Sequence, residues 1–176
     1  MAKPPSANSG PAPPRARGFS LFELAIAVAL IGILAGVLLE RMVYYQELAE
    51  KAAMEQVAMD VRSSVNLRVA ELVLENRFRD LNALVLQNPL DLLARKPQNY
   101  LGVLDESAPE CVAQGGWYFD SKSKEVVYCP DLGRYFTPDE RGQKRAAWRI
   151  VLVPGAKGAE APQWARFELV KPYRWF

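Results

Sequence analysis

Between Phe19 and Leu39 every residue is apolar or small except Ser20 and one charge, Glu23. As a helix these 21 residues span about 31 Å, close to the hydrocarbon core of a bilayer. No proline interrupts the run. The pattern predicts a transmembrane helix over 19–39, and a chain with such a segment is bound to a membrane or to other apolar helices.

The helix does not need to stop at Leu39. From Glu40 to Arg77 there is no Pro or Gly, and good helix formers dominate. Tyr45, Leu48, Ala52, Val57, Val61, Val65, Val69 and Leu72 recur every three to five residues. Charges such as Glu50, Lys51, Glu55, Asp60 and Arg62 fall between them, so residues 40–77 read as an amphipathic continuation. Its apolar stripe must pack on something, and residues 78–176 supply a small head.

Within that head, Leu81, Leu84, Val85 and Leu86 predict a short helix ending at Asn88-Pro89, and Leu90–Arg95 a further turn. Gly116–Asp120 and Glu125–Tyr128, joined by Ser121-Lys122-Ser123-Lys124, read as a β-hairpin. Its Trp117, Tyr118, Phe119, Val126, Val127 and Tyr128 are expected to alternate between core and surface. Two more strands are expected at Ala147–Val153 and Ala165–Val170, with Pro154, Gly155, Gly158 and Pro162 in the loop between them. The fold class is therefore α+β, a long N-terminal helix packed on a small antiparallel sheet.

The first 18 residues are rich in Pro, Ser, Ala and Gly and cannot build a core. They carry Lys3, Arg15 and Arg17 without an acid, so their loss takes the formal net charge from +2 to −1. Cations at this edge of a membrane span favour the cytoplasmic side. Two alternatives compete for the run itself. One is a plain single-pass anchor with an incidental Glu23. The other is a secretory signal cut at Ala25-Ile26-Ala27 or Ala27-Val28-Ala29, but those sites lie inside the apolar stretch.

The junction reads Arg15-Ala16-Arg17-Gly18-Phe19-Ser20-Leu21-Phe22-Glu23-Leu24. Basic residues, Gly, Phe and then Glu at the head of an apolar helix resemble the prepilin peptidase site of type IV pilins and type II secretion pseudopilins. The resemblance covers about residues 15–48 and accounts for the Gly-Phe-x-x-x-Glu order that both alternatives leave unexplained. It implies residues 1–18 as a cleaved leader, cleavage between Gly18 and Phe19, and N-methylation of Phe19. It also implies assembly through Glu23, whose carboxylate meets the Phe19 amine of a neighbouring subunit. The implied architecture is the pilin lollipop. The implied partners are other pilin or pseudopilin subunits, the prepilin peptidase and methyltransferase, the inner-membrane assembly platform, and membrane lipid before assembly. The implied location is the bacterial inner membrane, single-pass with a periplasmic head, and then a periplasmic or extracellular filament. In the family a glycine at the place of Gly32 marks where the helix melts, and many major pilins have proline where this chain has Glu40. The glutamate leans towards a minor pilin or a pseudopilin. Gly32 and Gly36 also form a G-x-x-x-G, which can bring two helices close.

The remaining candidates are weaker. There is no histidine, which removes the usual general base and the commonest transition-metal ligand, and no nucleophile–base set is visible. The chain is expected not to be an enzyme. Cys111 and Cys129 are an even pair in a head predicted to be exported, so a disulfide is expected, and a metal site would need further ligands. Major pilins place their disulfide around a C-terminal loop, whereas 47 residues follow Cys129 here. Asp131, Asp139 and Glu140, near Gly133 and Gly142, match no strict calcium pattern, and no cofactor is expected. The last 46 residues hold nine Lys or Arg against five acids, with Trp148, Trp164, Tyr173, Trp175 and Phe176 interspersed. That mixture suits single-stranded nucleic acid, so the alternative function is a minor pilin whose exposed head binds DNA or a surface ligand. A solvated β-face over an aromatic core is the preferred reading.

Overall fold

A computed structural model describes residues 20–104, 111, 114–139, 142–153 and 164–176. They form two compact units, one ending at Met42 and one running from Val43 to Phe176. Helix α1 spans Leu21–Leu74, unbroken through Glu40. It stops because Asn76 takes a left-handed backbone (φ 57°), which turns the chain away. Arg77 N–H then donates to Leu72 O at 2.8 Å and Asn76 N–H to Val73 O at 3.1 Å, the paired bonds that satisfy the last carbonyls of a helix.

In the second unit, α1 buries Glu47, Met54, Ala58, Val61, Val65, Val69 and Leu72, a stripe of three-, four- and seven-residue steps. Val61, Val65, Val69 and Leu72 are buried as expected, and the expected stripe fails only nearer the start of this unit. Tyr45 and Ala52 are exposed, and Leu48 and Val57 are only half-buried. The short helix α2, Asp80–Leu86, follows and buries Leu81 and Leu84. A 3-10 turn at Pro89–Leu92 is capped by Asn88, whose Oδ1 accepts from Leu90 N–H at 3.1 Å.

Among the described residues five strands make one sheet in the order β1 to β5: Tyr100–Leu104, Gly116–Asp120, Glu125–Cys129, Ala146–Val153 and Trp164–Leu169. β2 to β5 are antiparallel neighbours, as the hairpin pattern implied. β1 pairs with β2 in parallel, so the sheet is mixed rather than purely antiparallel. A parallel neighbour cannot be joined by a tight turn, and β1 and β2 are indeed separated in the sequence by residues 105–115. The turn of the β2–β3 hairpin is held by Asp120, whose Oδ1 accepts from Lys122 N–H (2.9 Å) and whose Oδ2 accepts from Ser123 Oγ (2.8 Å).

The expected core-and-surface alternation of the hairpin is not found, because every residue of β2 is buried. Trp117, Phe119, Val126 and Tyr128 face the helix stripe, with Trp148, Ile150 and Phe167 beside them. Tyr118, Val127 and Cys129 lie in a second, smaller cluster with Leu104, Cys111 and Ala147. Both faces of the central strands are thus covered, as in a strand with two apolar layers. Truncating a member of the larger cluster, such as Leu72→Ala, costs about 2–5 kcal/mol by the usual cavity rule.

Candidate functional site

The first unit presents the start of α1. Ser20 closes the helix: its Oγ accepts from Glu23 N–H at 3.2 Å and its carbonyl from Leu24 N–H at 3.1 Å. A serine in this position supplies an acceptor for one of the free first-turn amides. Glu23 therefore sits in the first turn, where a carboxylate is favoured by the helix dipole, and it is exposed. Gly18 and Phe19, the expected processing site and the partner of Glu23, lie outside the described residues.

From Leu24 to Leu39 the helix is apolar around its whole circumference and open. From Leu21 to Met42 only Ala27 is even half-buried. A methyl group added at Gly32 or Gly36 would meet nothing within 4 Å. Among the described residues α1 is long and apolar enough to cross a membrane. A helix with no polar face needs lipid or other apolar helices on all sides, and a carboxylate at its head is costly without a cationic partner.

The second unit shows how α1 holds the head, through Glu50, Lys51 and Glu55, which sequence reasoning placed on the solvent side, and through Glu47, which it did not single out. Glu47 is fully buried; its Oε1 accepts from the Trp175 indole N–H at 2.9 Å and from Tyr135 N–H at 2.8 Å. One turn on, Glu50 accepts from the Tyr128 hydroxyl at 2.9 Å and from the amides of Asp131 and Leu132. Lys51 Nζ donates to Trp175 O at 3.0 Å, and the Tyr173 hydroxyl donates to Glu55 at 3.4 Å. Burial and the neighbouring Glu50 push the Tyr128 hydroxyl well above its ordinary range. Burial, then Glu55, raises Tyr173 to about 12. The signal for Glu47 was available, since it lies seven residues before Met54 on the same face. A charged residue in an apolar register is easily passed over.

These carboxylates grip two segments that also pair with each other. Thr137 N–H donates to Arg174 O at 2.8 Å, and Phe136 and Trp175 form an antiparallel bridge. The loop leading to them turns at Gly133, buried and left-handed (φ 47°), where a side chain would press on Lys144. Lys144 Nζ in turn donates to Gly133 O at 2.7 Å.

The other sequence candidates fall into place around this frame. Cys111 and Cys129 form the expected disulfide, with a Cα–Cα distance of 5.7 Å, tying the β1–β2 connection to the end of β3. Asp131 is exposed, whereas Asp139 accepts from Gln143 N–H at 2.9 Å and faces Arg145 at 3.5 Å. Glu140 lies outside the described residues. Of the C-terminal aromatics, Trp148 and Trp175 are buried and Tyr173 is half-buried, so three of the five serve the core. Trp164 and Phe176 remain exposed.

Residues 13–39 match the family model for the prokaryotic N-terminal methylation motif. No curated protein and no solved structure matches the chain.

Proposed function

We propose, for a chain that belongs to the type IV pilin and pseudopilin family by its N-terminal methylation motif, that it is a non-enzymatic structural subunit of a type IV pilus or a type II secretion pseudopilus. Prepilin peptidase cuts between Gly18 and Phe19, the new N-terminus is methylated, and α1 holds the subunit in the inner membrane with its head in the periplasm. Assembly then moves the open apolar surface of α1 from lipid to the helices of other subunits. Glu23 sets the register by pairing with the Phe19 amine of a neighbour. The continuous helix through Glu40, where many major pilins carry proline, favours a minor pilin or a pseudopilin.

The observation that carries this reading is a helix apolar on every side, headed by one exposed carboxylate and preceded by the matched motif. Lipid hydrocarbon would satisfy the apolar surface, but it holds no counter-charge for Glu23. A neighbouring subunit with a free amine satisfies both. Mass spectrometry of the protein from its native host tests the processing step. The mature chain is expected to begin at methylated Phe19. An intact leader, or a start at Val28 or Leu30, would contradict it.

A further inference from the structure

Exposed aromatic surface on the head is concentrated in one place. The Tyr44 ring meets Phe176 at 5.3 Å and Tyr135 at 5.7 Å, Tyr135 stacks on Phe176 at 5.2 Å, and Tyr45 packs on Tyr44 at 5.7 Å. Packing leaves much of this surface open: Tyr45 is 64% exposed, Leu132 42%, Tyr135 41% and Phe176 37%. The three phenol rings are amphipathic, and two exposed cations, Arg134 and Arg174, lie in the same two segments. The carboxylates of Glu47 and Glu50 are turned inward onto backbone and side-chain donors, whereas Asp131 and Glu40 are exposed near the same surface.

Tyr44 follows Leu39, the last residue of the apolar run, by five positions in the same helix. That is about 7.5 Å of helical rise. The headgroup layer on each side of the hydrocarbon core is about 5–8 Å thick. Tyrosine is enriched in that layer, because its ring suits the acyl boundary and its hydroxyl suits the headgroups. Arginine beside it can reach anionic phosphates. We infer that Tyr44, Tyr45, Leu132, Tyr135 and Phe176 form a lipid-docking face that seats the folded head in the headgroup layer before assembly. The inference rests on the reading of the N-terminal run as the membrane anchor. Continuity with that run and the flanking cations favour lipid over a second copy of the chain. Leaving the bilayer for a filament then requires release of this face as well as of the anchor.

The test uses the full chain, disulfide intact, in vesicles of phosphatidylethanolamine and phosphatidylglycerol. Nitroxide labels are placed singly at Leu132→Cys, Arg134→Cys, Asn82→Cys and Ile33→Cys, and collision with oxygen and with a water-soluble nickel chelate is measured. Ile33 should be rich in oxygen and hidden from nickel, which checks the anchor. Leu132 and Arg134 should collide with nickel several-fold less than Asn82, which lies beyond the far end of α1. Leu132 and Arg134 as accessible as Asn82, with Ile33 still hidden, would overturn the docking face and leave the anchor standing. Shielding that vanishes when the protein is diluted in lipid would assign the face to a second copy and overturn the inference equally. An Ile33 open to nickel would remove the anchor, and the docking face with it.

Discussion

The carboxylate of Glu47, fully buried on α1, accepts a hydrogen bond from the indole of Trp175, 128 residues further along, at 2.9 Å. The same oxygen takes Tyr135 N–H, so one side chain closes the C-terminal segment and the 131–136 loop onto the helix. Bonds to a charged acceptor contribute about 1.5–3 kcal/mol each, and a buried donor left without its acceptor is penalised on a similar scale. Glu47→Ala is therefore expected to destabilise the head by about 2–4 kcal/mol. Glu47→Gln keeps an acceptor oxygen and should cost less. Denaturant titration of both variants checks this, and equal stability of wild type and Glu47→Ala would refute the role.

The disulfide is expected to contribute mainly by restricting the unfolded chain. Cys111 and Cys129 are 18 positions apart, and closing a loop of that size is worth about 3 kcal/mol in the chain-entropy picture. Cys111→Ser and Cys129→Ser should lower the head's stability by similar amounts, about 2–4 kcal/mol. Thiol quantification on oxidised wild-type protein checks the pairing, and two free thiols per chain would contradict it.

Alkaline stability should follow the buried phenols. Burial and the nearby Glu50 raise Tyr128, burial raises Tyr118, and burial with Glu55 raises Tyr173 to about 12. In the unfolded chain these groups titrate near pH 10, so above that the unfolded state holds fewer protons than the folded one. Their stabilising contribution is thus whole below about pH 10 and is lost as the pH climbs towards the folded values. Unfolding midpoints measured from pH 8 to 12 should decline across the upper half of that range. Tyr128→Phe and Tyr173→Phe should flatten the decline, and an unchanged profile in the double variant would count against this assignment.

What could be read from the sequence follows from how local each signal is. The apolar run, the hairpin with its Ser121–Lys124 turn, and the strands ending at Val153 and Leu169 are set by short-range pattern, and they appear within a residue or two of expectation. β1 was missed because Tyr100–Leu104 is short, carries left-handed Gly102, and pairs across a long connection. Tyr118 and Val127 look like outward-facing hairpin positions, and only a second cluster around the disulfide explains their burial. Glu47 and Glu50 look like solvent charges on a helix. Their partners, Trp175, Tyr135, Tyr128 and Leu132, lie 78 or more residues away, beyond the reach of any local pattern. The N-terminal motif over residues 13–39 was legible because it is written in contiguous sequence.

Glu23 separates an assembly subunit from a simple anchor. If its carboxylate only happened to lie in the membrane, Glu23→Ala would remove a cost and leave the protein's fate unchanged. If it pairs with the Phe19 amine of a neighbour, the variant leaves a buried ammonium without its counter-charge, a loss of about 3–5 kcal/mol. The measurement is the amount of wild type and Glu23→Ala in sheared filaments relative to the membrane fraction. The expected result is normal processing at Gly18, normal membrane content and loss from filaments. Glu23→Ala recovered in filaments at the wild-type level would contradict assembly through this residue.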